Sequence, residues 1–222
     1  MVIAVMTKRS EFFTNFTHSE SRAIKARALA CARGLRPVFA GLDFSVQNKQ
    51  ALALYGANGS GKTSLLRLLA GFLTPHDGTL SPPPPRHYLG HADGLKAAMR
   101  LDETLVFEAA LQGGQLISVD DILAQLGLAG RGAQLVGDLS AGQKRRLALA
   151  RLLMAPRPLW LLDEPLTALD RQGVALVEAL ARAHLACGGM IVAASHSPLS
   201  FATDTLSLDD VTALSPARQG CV

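Results

Sequence analysis

One eight-residue segment constrains the fold of this chain more than any other feature. Residues 56–63 read GANGSGKT, a complete GxxxxGK[ST] loop between the apolar run ALALY and the segment SLLRLLAG. The apolar run is typical of a β-strand covered on both faces, and the leucine-rich segment predicts a helix that ends at Gly71. Glycines let such a loop wrap round phosphates with its backbone N–H groups, at a helix N-terminus that favours anions.

Side chains at the end of this loop provide the remaining phosphate contacts. Lys62 can reach the β- and γ-phosphates of a nucleotide, and the Thr63 hydroxyl can bind Mg²⁺. A glycine-rich turn without function would not require a strand before it and a helix after it. The nucleotide contacts predicted here are Gly56, Ala57, Asn58, Gly59, Ser60, Gly61, Lys62, Thr63 and Ser64.

An alternating series of strands and helices is predicted around the loop. Segments 26–32 and 42–46 are expected to be strands that lead towards it. Further along, LWLLD at 159–163 and MIVAAS at 190–195 are expected strands, separated by a helix over about 171–187. This alternation predicts an α/β core.

The middle of the chain differs from this core. Four prolines at 82–85 predict an extended surface connection, because proline fits neither a helix interior nor a central strand. Residues 92–137 read as mostly helical, with helices near 102–111 and 118–126, and one long helix is expected over 140–155. A small helical lobe is therefore predicted within the α/β core.

Composition limits the class of partner. The formal net charge is +4 without a block of Lys or Arg, and two Tyr and one Trp are available for base stacking, so no nucleic-acid partner is predicted. No apolar run approaches the roughly 18–20 residues that cross a bilayer. The cysteines at 31, 187 and 221 lack CxxC spacing, which argues against a disulfide framework or a zinc site.

Two acidic residues follow the strand LWLLD. Asp163, at the carboxyl end of the strand, can bind Mg²⁺ through water, and Glu164 is placed to polarise an attacking water. Taken alone, the segment could be an ordinary strand that ends in an acidic turn. In a chain that also carries the phosphate loop, it predicts hydrolysis of a nucleoside triphosphate.

A second anion site is expected at LSAGQ, residues 139–143, which precedes the basic helix KRRLALARLL. Ser140 is a predicted N-cap, so its hydroxyl and the following backbone N–H groups can bind an anion. One phosphate loop holds one nucleotide. The second site is therefore expected to face the nucleotide of another copy of the chain.

These motifs together resemble a known family. GANGSGKT, LSAGQ, LWLLDEP, TALD at 167–170 and His196 occur in the order and spacing of an ABC-type ATPase domain, and the resemblance extends over about residues 26–200. It implies a single domain over 25–215. Residues 1–24 are rich in Ser, Thr and Phe without a clear period, and a flexible extension, a mis-called start codon and a weak organellar presequence all stay open for them. The implied fold is a P-loop α/β domain with an inserted helical subdomain at about 92–138 and an N-terminal antiparallel β-subdomain.

The resemblance also implies a dimer and individual residue roles. Two copies would pack head-to-tail with ATP between them, and Thr63 and Asp163 would hold Mg²⁺. Glu164 would be the general base, and His196 would hold the γ-phosphate. The residues expected to act across the dimer interface are Ser140, Gly142, Gln143 and Asp170.

Two positions depart from the common family pattern. The aromatic residue that stacks on adenine should fall near Arg33, where no Tyr, Phe or Trp stands, so Arg33 is the candidate to stack through its guanidinium. The glutamine that senses Mg²⁺ and water should stand where His91 is.

The second departure is itself informative. YLGH followed by Lys96, together with LSAGQKRRLALARL and RQGVALVEAL, is similar to ATP-binding subunits of the cytochrome c maturation, or haem exporter, system, in which histidine commonly replaces that glutamine. The resemblance implies a peripheral protein on the cytoplasmic face of a bacterial inner membrane, working with integral permease subunits. No directly bound haem is expected, because His87 and His91 flank a strand-to-loop junction and not one helix face.

Three other interpretations account for less of the sequence. An ATPase for another small exporter stays open as the alternative within the family. An ABC ATPase acting on nucleic acid or ribosomes would carry paired cassettes or a long coiled-coil insertion. A P-loop kinase would explain GANGSGKT but would leave LSAGQ and His196 unexplained.

Overall fold

The structure is a computed structural model that describes residues 23–34, 36–113, 118–155 and 157–209. Within these ranges the strands are β1 (Ala23–Arg33), β2 (Arg36–Gln47), β3 (Ala51–Tyr55), β4 (Asp77–Leu80), β5 (Arg86–Leu89), β6 (Leu159–Asp163), β7 (Met190–Ala194) and β8 (Asp204–Ser207). The α-helices are α1 (Lys62–Ala70), α2 (Leu101–Gln112), α3 (Val119–Gln125), α4 (Ala141–Ala148), α5 (Ala150–Met154) and α6 (Arg171–Ala186), and a 3₁₀ turn spans Val136–Asp138.

A parallel sheet forms the centre of the fold, with strand order β5-β6-β7-β3-β8. Alternate residues of its strands enter two separate cores: Ala51 and Ala53 of β3 pack on one side, whereas Leu52 and Leu54 pack on the other. Every residue of β6 and β7 is buried. Apolar side chains on both faces explain why the predicted strands read as continuous hydrophobic runs.

Two different layers cover this sheet. Helix α1 and an antiparallel sheet of order β2-β1-β4 enclose one core, and helices α2 to α6 contribute to the other. The α/β architecture with an antiparallel β-subdomain is thereby confirmed. The leucines expected on the buried side of α1 are buried, and Gly71 ends the helix in the left-handed conformation, at φ +83°.

Two short strands are absent from the predictions. β4 has the sequence DGTL and β8 the sequence DTLS, and both strands are mostly exposed. Each is an edge strand of its sheet, β4 pairing with β1 and β8 with β3. Neither sequence has the apolar period that identifies a strand, so only the pairing partners define them.

The predicted long helix over 140–155 is wrong in one respect. It is divided at Leu149 into α4 and α5. The Leu149 N–H is shared between the carbonyls of Arg145 and Arg146, and the N–H of Leu152 bonds back to the Leu149 carbonyl. These i to i−3 bonds tighten the chain into a 3₁₀-like turn, which an apolar period does not reveal.

Both ends of the predicted domain lie at the margin of the described residues. β1 begins at Ala23, two residues before the predicted boundary. The extension before it and residues 210–222, with Cys221, are outside the described ranges, so the predictions for them stay predictions. No helix among the described residues is both long enough and apolar enough to cross a bilayer.

Two histidines lie deep beside the parallel sheet. His184 is stacked on Trp160, with ring centroids 3.9 Å apart, and its Nε2 lies 3.3 Å from the Met190 carbonyl. The Nε2 atom of His87 lies 2.6 Å from the Ala155 carbonyl. Burial lowers the pKa of His87 to about 4 and that of His184 to about 3. Both rings are therefore neutral parts of the core at neutral pH.

We expect the free energy of unfolding to fall as the pH is lowered from about 6.5 towards 4. The unfolded chain binds protons on both imidazoles near pH 6.5, whereas the folded chain does not, so acid favours the unfolded state. For His87 the loss between pH 7.5 and pH 5 is about 2 kcal/mol. Urea titrations at pH 7.5, 6 and 5 measure it. His87→Gln should flatten the dependence more than His76→Gln at an exposed histidine, and equal slopes in the two variants would contradict this assignment.

Candidate functional site

Four segments meet at one edge of the parallel sheet. The phosphate loop follows β3, Asp163 ends β6, His196 follows β7 and His91 follows β5. Because these strands are parallel, their carboxyl ends lie together, and the side chains that follow them converge. The topology thus assembles a site from residues up to about 140 positions apart in sequence.

The converging side chains enclose a cavity of about 480 Å³. Its volume lies within the range typical of small-molecule sites, roughly 300–1,000 Å³. The lining residues are Arg33, Val38, Asn58, Gly59, Gly61, Lys62, Thr63, Ser64, His91, Asp163, Glu164, Thr167 and His196.

The phosphate loop closes on its own lysine. The Lys62 ammonium donates hydrogen bonds to the carbonyls of Gly56, at 2.6 Å, and of Ala57, at 3.0 Å. The Ala57 N–H in turn donates to the carboxylate of Asp209, at 2.7 Å. Only glycine fits at position 61, since φ there is +106° and a Cβ would lie 2.7 Å from the Val38 side chain.

Oxygen ligands suitable for a metal ion stand beside the lysine. The Thr63 hydroxyl donates to Asp163 Oδ2 at 3.0 Å, and Asp163 is 3% exposed. Mg²⁺ is commonly held by one or two such oxygens together with phosphate groups of a nucleotide. The residues therefore fit Mg²⁺, although the described residues contain no cluster of three or more His, Cys, Asp or Glu that could hold a metal by itself.

Glu164 and His196 lie side by side in the cavity. Glu164 Oε1 lies 3.5 Å from His196 Nε2, with the histidine side chain half exposed and that of the glutamate 19% exposed. Glu164 has φ +49°, in the left-handed region that a side chain other than glycine rarely adopts. This backbone conformation follows directly after β6 and aims the carboxylate at the cavity.

The sequence comparisons define the family. The ABC transporter family profile matches residues 39–167. The chain is 47% identical over 197 residues to the cytochrome c biogenesis ATP-binding export protein CcmA of Bradyrhizobium diazoefficiens, an alignment that covers 85% of this chain and 98% of that protein. A protein of the same name from Methylococcus capsulatus is 45% identical over 198 residues, with 83% and 96% covered. The chain belongs to the CcmA family of ABC transporter ATP-binding proteins.

Family membership makes this chain an ABC-type ATP hydrolase. The fold agrees with that of a solved ATP-binding cassette whose structure is a dimer in a post-hydrolysis state with ADP and Pi. The two structures superpose with a TM-score of 0.74 at 17% identity, over 85% of this chain and 96% of the other.

Not all of the predicted site residues of this CcmA-family ATPase meet in the cavity. Arg33 and His91 line it, as do Asp163, Glu164 and His196. Of the predicted loop residues, Asn58, Gly59, Gly61, Lys62, Thr63 and Ser64 line it, whereas Gly56, Ala57 and Ser60 do not. Ser140, Gly142 and Gln143 stand apart from it at the start of α4, where Ser140 Oγ accepts from the Gln143 N–H at 3.2 Å and Gln143 Oε1 accepts from the Ser140 N–H at 2.9 Å. The predicted N-cap is a full capping box.

Asp170 is also outside the cavity. It caps α6 by accepting from the Gly173 N–H at 2.8 Å, and it pairs with the Arg146 guanidinium. The Gly173 hydrogen bond, with a smaller contribution from Arg146, lowers the pKa of the carboxyl. Its side chain is 61% exposed, so the predicted contact across an interface would be additional to these contacts within the chain.

Several residues of the site were missed by the sequence reasoning. Val38 and Thr167 line the cavity, Asp209 holds the phosphate loop, and Arg145 contacts the backbone of both acidic residues. Only Thr167 carried a signal, since it belongs to the TALD motif. The other three act through tertiary contacts that no local pattern encodes.

Packing within the chain explains why position 142 is a glycine. A Cβ added there would lie 2.7 Å from the Ala168 carbonyl oxygen, because α4 packs closely on the turn after Glu164. Backbone atoms on both sides leave little room for adjustment. The glycine therefore permits a close approach of two segments, in addition to any contact with a nucleotide.

We expect Gly142→Ala to lower the free energy of unfolding by about 1–3 kcal/mol, because the added methyl group overpacks this contact. Urea denaturation measures the change in the absence of nucleotide. Gly132→Ala is the matched control, since a Cβ at that position meets its nearest atom at 3.7 Å. Equal stabilities for the two variants would show that the contact tolerates a methyl group.

Proposed function

We propose that this ATPase works as a head-to-tail dimer on the cytoplasmic face of a bacterial inner membrane and drives a step of cytochrome c biogenesis through integral permease subunits. The proposal of a dimer rests on one observation: Lys62, Glu164 and His196 line the cavity, but Ser140 and Gly142 do not. A second copy can bring its own capping serine to the open side of the cavity. The names of the two relatives, whose alignments cover 85% and 83% of this chain, support the pathway.

Nucleotide binding begins with an exchange of partners at Lys62. Its ammonium leaves the carbonyls of Gly56 and Ala57 and binds phosphate oxygens of ATP. The loop N–H groups and the N-terminus of α1 bind the remaining negatively charged phosphate oxygens. Arg33 and Val38 line the cavity and provide a guanidinium plane and an apolar surface for the base. Asn58, Gly59 and Ser64 complete the lining.

Mg²⁺ would be held by Thr63 and Asp163, the latter through water, and when bound it neutralises charge on the β- and γ-phosphates. The hydrogen bond between the two side chains holds both oxygens ready for this ligand. His91 also lines the cavity, and its imidazole can donate or accept a hydrogen bond there. That property suits it to the sensing position that a glutamine fills elsewhere in the family.

Hydrolysis would proceed at Glu164 and His196. The Glu164 carboxylate accepts a proton from the attacking water, whose oxygen bonds to the γ-phosphorus as the bond to the β,γ-bridging oxygen breaks and ADP leaves. His196 donates a hydrogen bond to the γ-phosphate. The 3.5 Å separation of the two side chains lets both act on one water and one phosphoryl group.

The second copy would complete the site with the start of α4. Ser140 is exposed at the N-terminus of α4, an electrically positive helix end. Ser140, Gly142 and Gln143 would meet the γ-phosphate held by the partner. Asp170 would add its exposed carboxylate to the same interface.

A contact with the permease is proposed on α2. Its outward face presents Val106, Phe107 and Leu111, which are 52%, 43% and 68% exposed, while its inward face is buried in the core. Lys96 lies over the Phe107 ring at 4.9 Å and connects this face to the segment that follows His91. An apolar patch of this kind beside a nucleotide sensor suits a partner whose position must respond to ATP.

We expect Glu164→Gln to trap a dimer in the presence of ATP. The amide retains the shape of the side chain but cannot take the proton from water, so the ATP that joins the two copies is not consumed. Light scattering after size-exclusion chromatography measures the mass with and without ATP. Lys62→Ala is the control that should stay monomeric because it cannot hold the phosphates. A monomeric Glu164→Gln protein at saturating ATP would exclude the dimer.

We expect Lys62→Ala and Leu111→Glu each to abolish c-type cytochromes in a strain that depends on this gene. The first removes the phosphate contact, and the second places a charge on the proposed permease surface. Haem staining of membranes measures the cytochromes. The ATPase activity of the purified chain distinguishes the two variants. Leu111→Glu should leave it within about twofold of wild type, whereas Lys62→Ala should not. Normal c-type cytochromes in the Lys62→Ala strain would exclude the pathway.

A further inference from the structure

Arg145 is a buried cation whose role the proposed mechanism does not include. It lies in the second turn of α4 and is 4% exposed. Nη1 donates to the Gly90 carbonyl at 2.8 Å and to Asp93 Oδ1 at 3.0 Å. Nη2 donates to the carbonyls of Asp163 and Glu164, each at 2.8 Å. One planar guanidinium thus serves four acceptors in two directions.

The four acceptors belong to the two segments that present the reactive side chains. Gly90 and Asp93 flank His91, and Asp163 and Glu164 are the acidic pair. The arginine itself belongs to the helix that begins after Ser140. A single side chain therefore joins the two acidic residues, the proposed nucleotide sensor and the surface expected to face the second ATP.

The contact matters most for the backbone of Glu164. A residue at φ +49° is held by its surroundings, at a cost of order 1–3 kcal/mol. Its N–H donates to the Ala194 carbonyl at 3.0 Å, and its carbonyl accepts from the Thr167 N–H at 3.2 Å as well as from Arg145. Without the guanidinium, the Asp163 carbonyl loses a donor and the Glu164 carbonyl loses the stronger of two. The peptide is then held by fewer hydrogen bonds, and a small rotation of it moves the carboxylate.

We infer that Arg145 is a positioning residue for hydrolysis: it fixes the carboxylate of Glu164 and holds α4 to the segment that carries His91. The inference rests on the proposed role of Glu164 as the base. Displacement of a catalytic group by about 1 Å can reduce turnover about a hundredfold, so a side chain that never touches ATP can still control its hydrolysis.

Arg151 provides a matched comparison. Its guanidinium donates to the carbonyls of Asp93 and Gly94 and to Glu108 Oε1, at 2.8, 3.2 and 2.6 Å. It is largely buried and anchors the same segment as Arg145. It has no hydrogen bond to Asp163 or Glu164. Substitution of Arg151 therefore tests for loss of a buried arginine without loss of the Glu164 contact.

The experiment compares Arg145→Lys with Arg151→Lys in the full chain. Lysine keeps the charge but cannot hold acceptors in two directions. We expect Arg145→Lys to lower kcat about tenfold to a hundredfold with KM for ATP within about twofold, and Arg151→Lys to keep kcat within about twofold. Thermal unfolding reports the stability of both. A kcat near wild type for Arg145→Lys, or an equal fall in kcat for Arg151→Lys, overturns the inference.

Chemical rescue gives a second test that a purely structural role would fail. Arg145→Ala leaves a buried space beside the Glu164 carbonyl, and added methylguanidinium should raise its kcat at least about fivefold. The same additive should not raise the activity of Arg151→Ala. No rescue of a folded Arg145→Ala protein overturns the inference.

Glu164→Gln separates this inference from the function on which it rests. If Glu164→Gln retains hydrolysis, the proposed base is wrong and the role of Arg145 fails with it. If Glu164→Gln is inactive while Arg145→Lys has wild-type kcat, the base stands and only the positioning role fails.

Discussion

Burial of both faces of the parallel sheet is the constraint on which the rest of the structure depends. Since β6 and β7 are covered on both faces, polar side chains can reach the surface only at the ends of these strands. The phosphate loop, Asp163 and His196 consequently share the single edge where the strands terminate. Chemistry at this edge needs no further scaffold, because the two cores already fix the positions of the strands.

The basic run after LSAGQ illustrates how charge is used within this chain. Lys144 donates to the Gly137 carbonyl, Arg145 to the segments beside the cavity, and Arg146 to Asp170. These cations bind acceptors of the same chain. This cluster of positive charge therefore anchors α4, the helix that carries the surface proposed to face a second copy.

How far the sequence predicts such a structure depends on the range of the interactions. The core strands and helices were found because an apolar period, a helix stop at Gly71 and a glycine-rich loop are local signals. β4 and β8 were missed because strand pairing alone defines them, and the break at Leu149 because it is a change in hydrogen bonding within an unchanged apolar pattern. In the site, motif spacing identified Lys62 and Asp163. Arg145 and Asp209 were missed because their hydrogen-bond partners lie 18 or more residues away in sequence.

The strained backbone conformation of Glu164 lowers the stability of the folded protein. In its left-handed conformation a glycine would fold with less strain, whereas the glutamate supplies the carboxylate proposed as the base. Selection for a more stable protein would replace this residue, and selection for hydrolysis keeps it. In a population released from the need for hydrolysis, this position is therefore among the first where sequence change brings a gain in stability.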